Sequence, residues 1–203
     1  MKRAPELRKF SEDHHHGLAH ARRLRKAAEG DEAHPAADTA KDFLGYWQAE
    51  TSTHFREEEE VLLPVLQRHG GDVSQESVIE MLAQHAEIRG LIMGLSDEAT
   101  SRTVQPETLK RIGEQLEEHI RLEERVVFPM IENILPEEGL KEVASRLEAR
   151  QTGLGAEPWV PTEGFSTIPG RARATARAVV GTDGCRIPVR PRAHRGNPTK
   201  PKT

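Results

Sequence analysis

The sequence predicts an all-α protein: an up-and-down antiparallel four-helix bundle with a short fifth helix and a disordered C-terminal tail. Three observations predict it. Apolar residues recur every three or four positions through four segments of bundle length, and no segment alternates with a period of two over a useful length. Short connections join those segments, which favours antiparallel neighbours. Finally, HFREEEEVLLPVL at 54–66 returns without a gap as HIRLEERVVFPMI at 119–131, so the bundle carries an internal repeat.

The first helix is expected over residues 6–29, with Ser11 as N-cap and Gly30 as the stop. Its apolar stripe is thin: Leu18, Ala21, Leu24 and Ala28. His14 falls on that stripe, while His15 is turned about 100° and His16 about 200° away. Pro35 opens the second helix, which runs to about Gln67 and closes on His69, Gly70 and Gly71. A third helix, 74–95, takes Ser74 as N-cap and aligns Val78, Leu82, His85, Ile88, Ile92 and Leu95 on one face. The polar loop SDEATSRTVQP leads to the fourth helix, 106–134, and Pro136 precedes the short fifth, 137–150.

Residues 1–150 form the folded unit, and 151–203 change character. The tail holds more than half of the chain's 13 prolines, with many Gly, Arg and Thr and no helical stripe, so it should be disordered. Charge divides along the same line: 20 Lys or Arg against 30 Asp or Glu in the bundle, 9 against 3 in the tail. The acidic bundle argues against nonspecific nucleic-acid binding by that region, and the basic tail has no identifiable partner. Cys185 stands alone, so no internal disulfide forms. Without an apolar run after the N-terminal basic residues, or one of membrane-spanning length, a cytoplasmic protein is expected.

The chemistry lies in what the repeat keeps. The copies agree at His54 and His119, Glu58 and Glu123, Glu59 and Glu124, and Pro64 and Pro129, whereas Glu57 is answered by Leu122. A His with a Glu four residues on places both side chains on one helix face. That face is the apolar one: Phe43, Trp47 and Thr51 lead into His54 and Glu58, then Val61, Leu62 and Val65. In the second copy Leu109, Ile112 and Leu116 lead into His119 and Glu123, then Val126, Val127 and Met130. A carboxylate inside an apolar bundle costs several kcal/mol unless a positive charge meets it, and these stripes hold no inward Lys or Arg. A bound cation supplies the charge.

His14 and His85 are the inward histidines of the other two helices, with His15 the alternative to His14 if the first helix is rotated. Six candidate metal ligands result: His14, His54, Glu58, His85, His119 and Glu123. Mixed nitrogen and oxygen donors favour iron, with manganese and zinc as competitors. Glu59 and Glu124 either accept hydrogen bonds from ligand imidazoles or are surface charge; His16, His20, His34, His69 and His194 are expected in solvent. Pro64 and Pro129 leave the carbonyls of Glu60 and Arg125 without amide partners, so each helix should bend just past its ligands.

DHHH at 13–16, HFREEEEVLLP at 54–64, QHAEI at 84–88 and HIRLEERVVFP at 119–129 resemble the hemerythrin-like, HHE cation-binding family over roughly residues 10–135. The resemblance implies a non-haem di-iron centre, oxo- or hydroxo-bridged, in a four-helix bundle with coordination open to dioxygen or another small ligand. It makes Glu58 and Glu123 the bridging carboxylates and the four histidines terminal ligands. Oxygen-carrying members place a second His one turn before the third-helix His, where this chain has Met81. With one imidazole fewer, sensing, iron handling or peroxide chemistry gains over oxygen carriage. An enzyme turning over peroxide or ferrous iron and a metal-free helical interaction domain are the alternatives.

Overall fold

The computed structural model describes residues 3–152, so the expected tail lies outside the described residues except for its first two. A 3-10 turn, Pro5–Leu7, leads into α1, Arg8–Ala28. The second helix, α2, is a composite over residues 36–68. Its α-helical parts are Ala36–Tyr46, Ser52–Glu57 and Leu63–Arg68, joined by π-helical turns at Trp47–Thr51 and Glu58–Leu62. α3 spans Glu76–Thr100. The fourth helix, α4, is a second composite over 106–134: Pro106–Leu122, a π-helical turn at Glu123–Val127, and Phe128–Ile134. α5 spans Glu137–Gln151. No strand occurs among the described residues, and none of their helices is long and apolar enough to cross a membrane.

Each of the four long helices packs on its neighbours in sequence, and α1 closes the ring along α4. Gly30 and Gly70, at φ 80° and 85°, take the left-handed conformation that stops α1 and α2. α5 lies across one end, against Pro5–Leu7 and against residues 58–68 of α2.

Two apolar cores fill the bundle. One gathers Phe10, Leu62, Leu66, Met81, Val127, Phe128 and Val143; the other gathers Leu24, Phe43, Phe55, Ile88, Leu95, Ile112 and Leu116. His14, His54, Glu58, His85, His119 and Glu123 fall between them along every helix. The polar groups therefore form one layer closed off by hydrocarbon on both sides.

Several local expectations change. Ser11 is inside α1, because Pro5 opens the N-terminal turn earlier; its hydroxyl donates instead to Glu124 Oε1 at 2.6 Å. Ser74 sits in a turn held by Asp72, and Gln75 precedes the helix. The segment expected as a loop stays helical through Thr100. Leu18, Leu82 and Val126 are at the surface, while Gly17, Met81 and Val127 face inward. At Pro64 and Pro129 the accommodation is a π-helical turn: the carbonyls of Glu60 and Arg125 fall inside Glu58–Leu62 and Glu123–Val127, where wider turns take up the ring and the missing amide.

At Gly113, α4 packs directly against the backbone of α1. A Cβ there would stand 2.7 Å from the Ala21 carbonyl oxygen and 2.8 Å from Arg25 Cγ. Backbone cannot yield as a side-chain tip can, so Gly113→Ala should separate the helices despite its better helix propensity. The expected loss is about 1–3 kcal/mol of unfolding free energy, read by urea denaturation of the metal-free chain; a neutral or stabilising result would contradict this packing.

Candidate metal centre

The six candidate ligands converge. His14 and His54 are 4% and 5% exposed, and Glu58, His85, His119 and Glu123 are fully buried. Glu58 turns one oxygen to each side, Oε1 3.1 Å from His54 Nε2 and Oε2 3.3 Å from His85 Nε2. Glu123 does the same, with Oε2 2.9 Å from His14 Nε2 and Oε1 3.2 Å from His119 Nε2. Two quartets able to hold a cation follow: His14, His54, Glu58 and Glu123, and Glu58, His85, His119 and Glu123, each with its ligand atoms within 4.8 Å of one another. Both carboxylates belong to both quartets.

The fit to a cation can be tested on the donor atoms. Both oxygens of Glu58, both of Glu123, and Nε2 of His85 and His119 are buried without a hydrogen bond. Imidazole nitrogens lie near the carboxylates, but not in hydrogen-bonding alignment. Each orphaned buried acceptor costs about 1–3 kcal/mol, more when charged. Cations placed among these atoms would satisfy all six together, so the residues fit the group.

The opposite nitrogen of every imidazole is occupied. Nδ1 of His14 meets Glu124 Oε1 at 2.8 Å, that of His54 meets Asp13 Oδ2 at 3.1 Å, that of His85 meets Glu59 Oε1 at 2.7 Å, and that of His119 meets Gln84 Oε1 at 3.2 Å. Oxygen acceptors at Nδ1 hold the proton there and leave the Nε2 lone pair pointing inward. Glu59 and Glu124 are thus imidazole partners rather than surface charge. Their own positions are held by Arg89 and by Arg3 with Ser11.

Electrostatics follow from this arrangement in the cation-free chain. Burial lowers the His54 imidazole, but the Glu58 carboxylate and the bond to Asp13 outweigh it and raise the pKa to about 10. His85 is likewise lowered by burial and raised to about 10 by Glu123, Glu58 and Glu59. His119, whose partner is a neutral amide, is pushed down by burial to about 4. Burial raises Glu58, yet His54 and His85 hold it well below the usual carboxylate range. Protons on imidazole are the counter-charge when nothing else is bound.

A cavity of about 10 Å³, measured for the centre of a water-sized molecule, reaches the layer beside His14, His54 and His119, with Tyr46 and Thr51 on its outer wall. That is room for about one water. The Thr51 hydroxyl is buried and unpartnered.

His14 is the inward histidine of α1; His15 is exposed and bonds back to the Ser11 carbonyl oxygen at 2.7 Å. Met81 is fully buried in the apolar core below the layer. His20 stacks on Tyr46 and His69 meets Glu142, so neither is simply solvated, and His194 lies outside the described residues. Asp13, Gln84 and the Lys9 pair with buried Glu57 had no separate sequence signal. A hint existed: Asp13 and Gln84 each immediately precede an inward His.

A helical bundle closed around a buried imidazole–carboxylate layer defines a class of metal-binding protein. The chain belongs to the hemerythrin HHE cation binding domain family, whose model matches residues 6–131 and, in a second match, 80–154. The second match covers α3 to α5, in keeping with the internal repeat. No curated protein and no solved structure matches the chain.

Proposed function

We propose that the chain is a non-haem di-iron protein that binds or senses dioxygen or a related small ligand, or handles iron. One observation carries this reading: two ligand quartets share both carboxylates, and all four carboxylate oxygens, with Nε2 of His85 and His119, are buried without a hydrogen bond. In it, His14 and His54 would hold one iron, His85 and His119 the other, and Glu58 and Glu123 would serve both. Bound iron supplies a redox-active Lewis acid with positions open to a small ligand.

The protein's own part is positioning and exclusion. Asp13, Glu59, Gln84 and Glu124 fix the imidazole rings, and the apolar cores on either side keep bulk water out. The cavity by Thr51 and Tyr46 has room for about one water, which suits a diatomic-sized ligand better than a bulky substrate. Four imidazoles, with Met81 where oxygen carriers have another, favour sensing or iron handling over reversible carriage.

Protein expressed in iron-supplemented medium should hold about two irons per chain by elemental analysis and show a ligand-to-iron charge-transfer band in air. Less than about one iron per chain, with no band, would remove the proposal in favour of a metal-free scaffold. Turnover of peroxide or ferrous iron beyond stoichiometry would make the same centre an enzyme.

A further inference from the structure

The two halves of the layer match in their ligands but not in their supports. Of the four Nδ1 acceptors, three are carboxylates, on Glu124, Asp13 and Glu59, and one is the amide oxygen of Gln84. Asp13 and Gln84 occupy the same place in the two halves, each one residue before the inward His and each reaching the imidazole of the next helix. Both orient the ring equally. Only Asp13 adds negative charge.

We propose that Asp13 makes the two cation positions unequal, so that the His14/His54 position fills first and binds a divalent cation about 10–100-fold more tightly than the His85/His119 position. The inference rests on the two-cation reading above. Asp13 is a positioning residue acting through His54: a carboxylate accepting the Nδ1 proton makes Nε2 a stronger donor, whereas an amide leaves it nearly unchanged.

The surroundings leave the difference in place. Lys9 meets Asp13 at 2.9 Å and is shared with the buried Glu57 at 2.8 Å, so one cation faces two carboxylates on the His54 side. On the other side, Gln84 Nε2 donates to Glu80 at 3.3 Å, and Glu80 is exposed, where water screens its charge. That bond also fixes the amide with its oxygen toward His119. Arg89 stands against Glu59 as Arg3 stands against Glu124, but Arg3 is shared with Glu132 at 3.0 Å, so the His14 side carries an extra carboxylate here as well.

The test titrates the metal-free full-length protein with ferrous iron under anaerobic conditions. Calorimetry should give two steps about 10–100-fold apart, and anomalous scattering from crystals at one equivalent should place the iron between His14 and His54. Asp13→Asn should weaken the tight step until the two merge. Gln84→Glu should tighten the weak step, and Asp13→Asn with Gln84→Glu should reverse the filling order, which a purely structural role for Asp13 could not do. If Asp13→Asn fails to fold, the Gln84→Glu chain alone decides. Two equal steps in the unaltered protein, or an order indifferent to both changes, would overturn the inference and leave the two-cation reading standing. Absence of iron binding would sink that reading itself.

Discussion

A chain carrying Glu58→Ala and Glu123→Ala should hold no iron and still fold. Each carboxylate has an oxygen toward both quartets, so no pair of ligands from one side replaces what the double change removes. Elemental analysis should fall from about two metal ions per chain to near zero. Stability should fall far less than for a broken buried ion pair, which costs about 3–5 kcal/mol when one charge is stranded. Here both anions leave together, and the imidazoles of His54 and His85, raised in large part by those anions, can release their protons. The variant should therefore melt close to the metal-free parent. Retention of one or more irons by the double variant would show that the carboxylates do not bridge.

The fold and the buried imidazole–carboxylate layer were legible for different reasons. Duplication exposed His54, Glu58, His119 and Glu123, since chance rarely places the same inward couple twice on apolar stripes. His14 and His85 were legible only through position on a stripe, and α1 offered a weak one, rich in Ala and Gly, that left His15 open until burial decided. Among the supports, Glu59 and Glu124 were legible as candidates because they repeat, whereas Asp13 and Gln84 were not, since they do not repeat, lie sideways to the stripe and reach across to other helices. Which imidazole each meets depends on how neighbouring helices are rotated, which a sequence does not state.

Phase errors in the core have a local cause. Val61 and Val126 are equivalent in the repeat, yet Val61 is 4% exposed and Val126 is 46% exposed. Both lie in π-helical turns that shift the facing of the residues after the Glu. α5 packs against Glu58–Leu62, and Val61 shares a core cluster with Val143 and Leu147 of α5; among the described residues α5 has no counterpart beside Val126. Repetition in sequence thus predicts the layer better than the shell around it.

Chelation should lower the melting temperature of the iron-loaded protein by about 5–10 °C. A ligand at about a hundred times its dissociation constant stabilises by roughly 2.7 kcal/mol, and a chain of this size shifts by about 2–4 °C per kcal/mol. The size of the drop should depend on pH in a direction set by the imidazoles. In the chelated chain His54 and His85 have pKa values raised from 6.5 to about 10, so their stabilisation is complete below 6.5 and is lost as pH rises through about 10. In the loaded chain the same nitrogens must be unprotonated to act as ligands, so bound metal gains from rising pH over that interval. Melting curves for loaded and chelated protein should diverge between about pH 6.5 and pH 9. Curves that coincide would mean that no native metal site is lost on chelation. Curves that stay separated but converge at high pH would mean that the metal is held by groups other than these histidines.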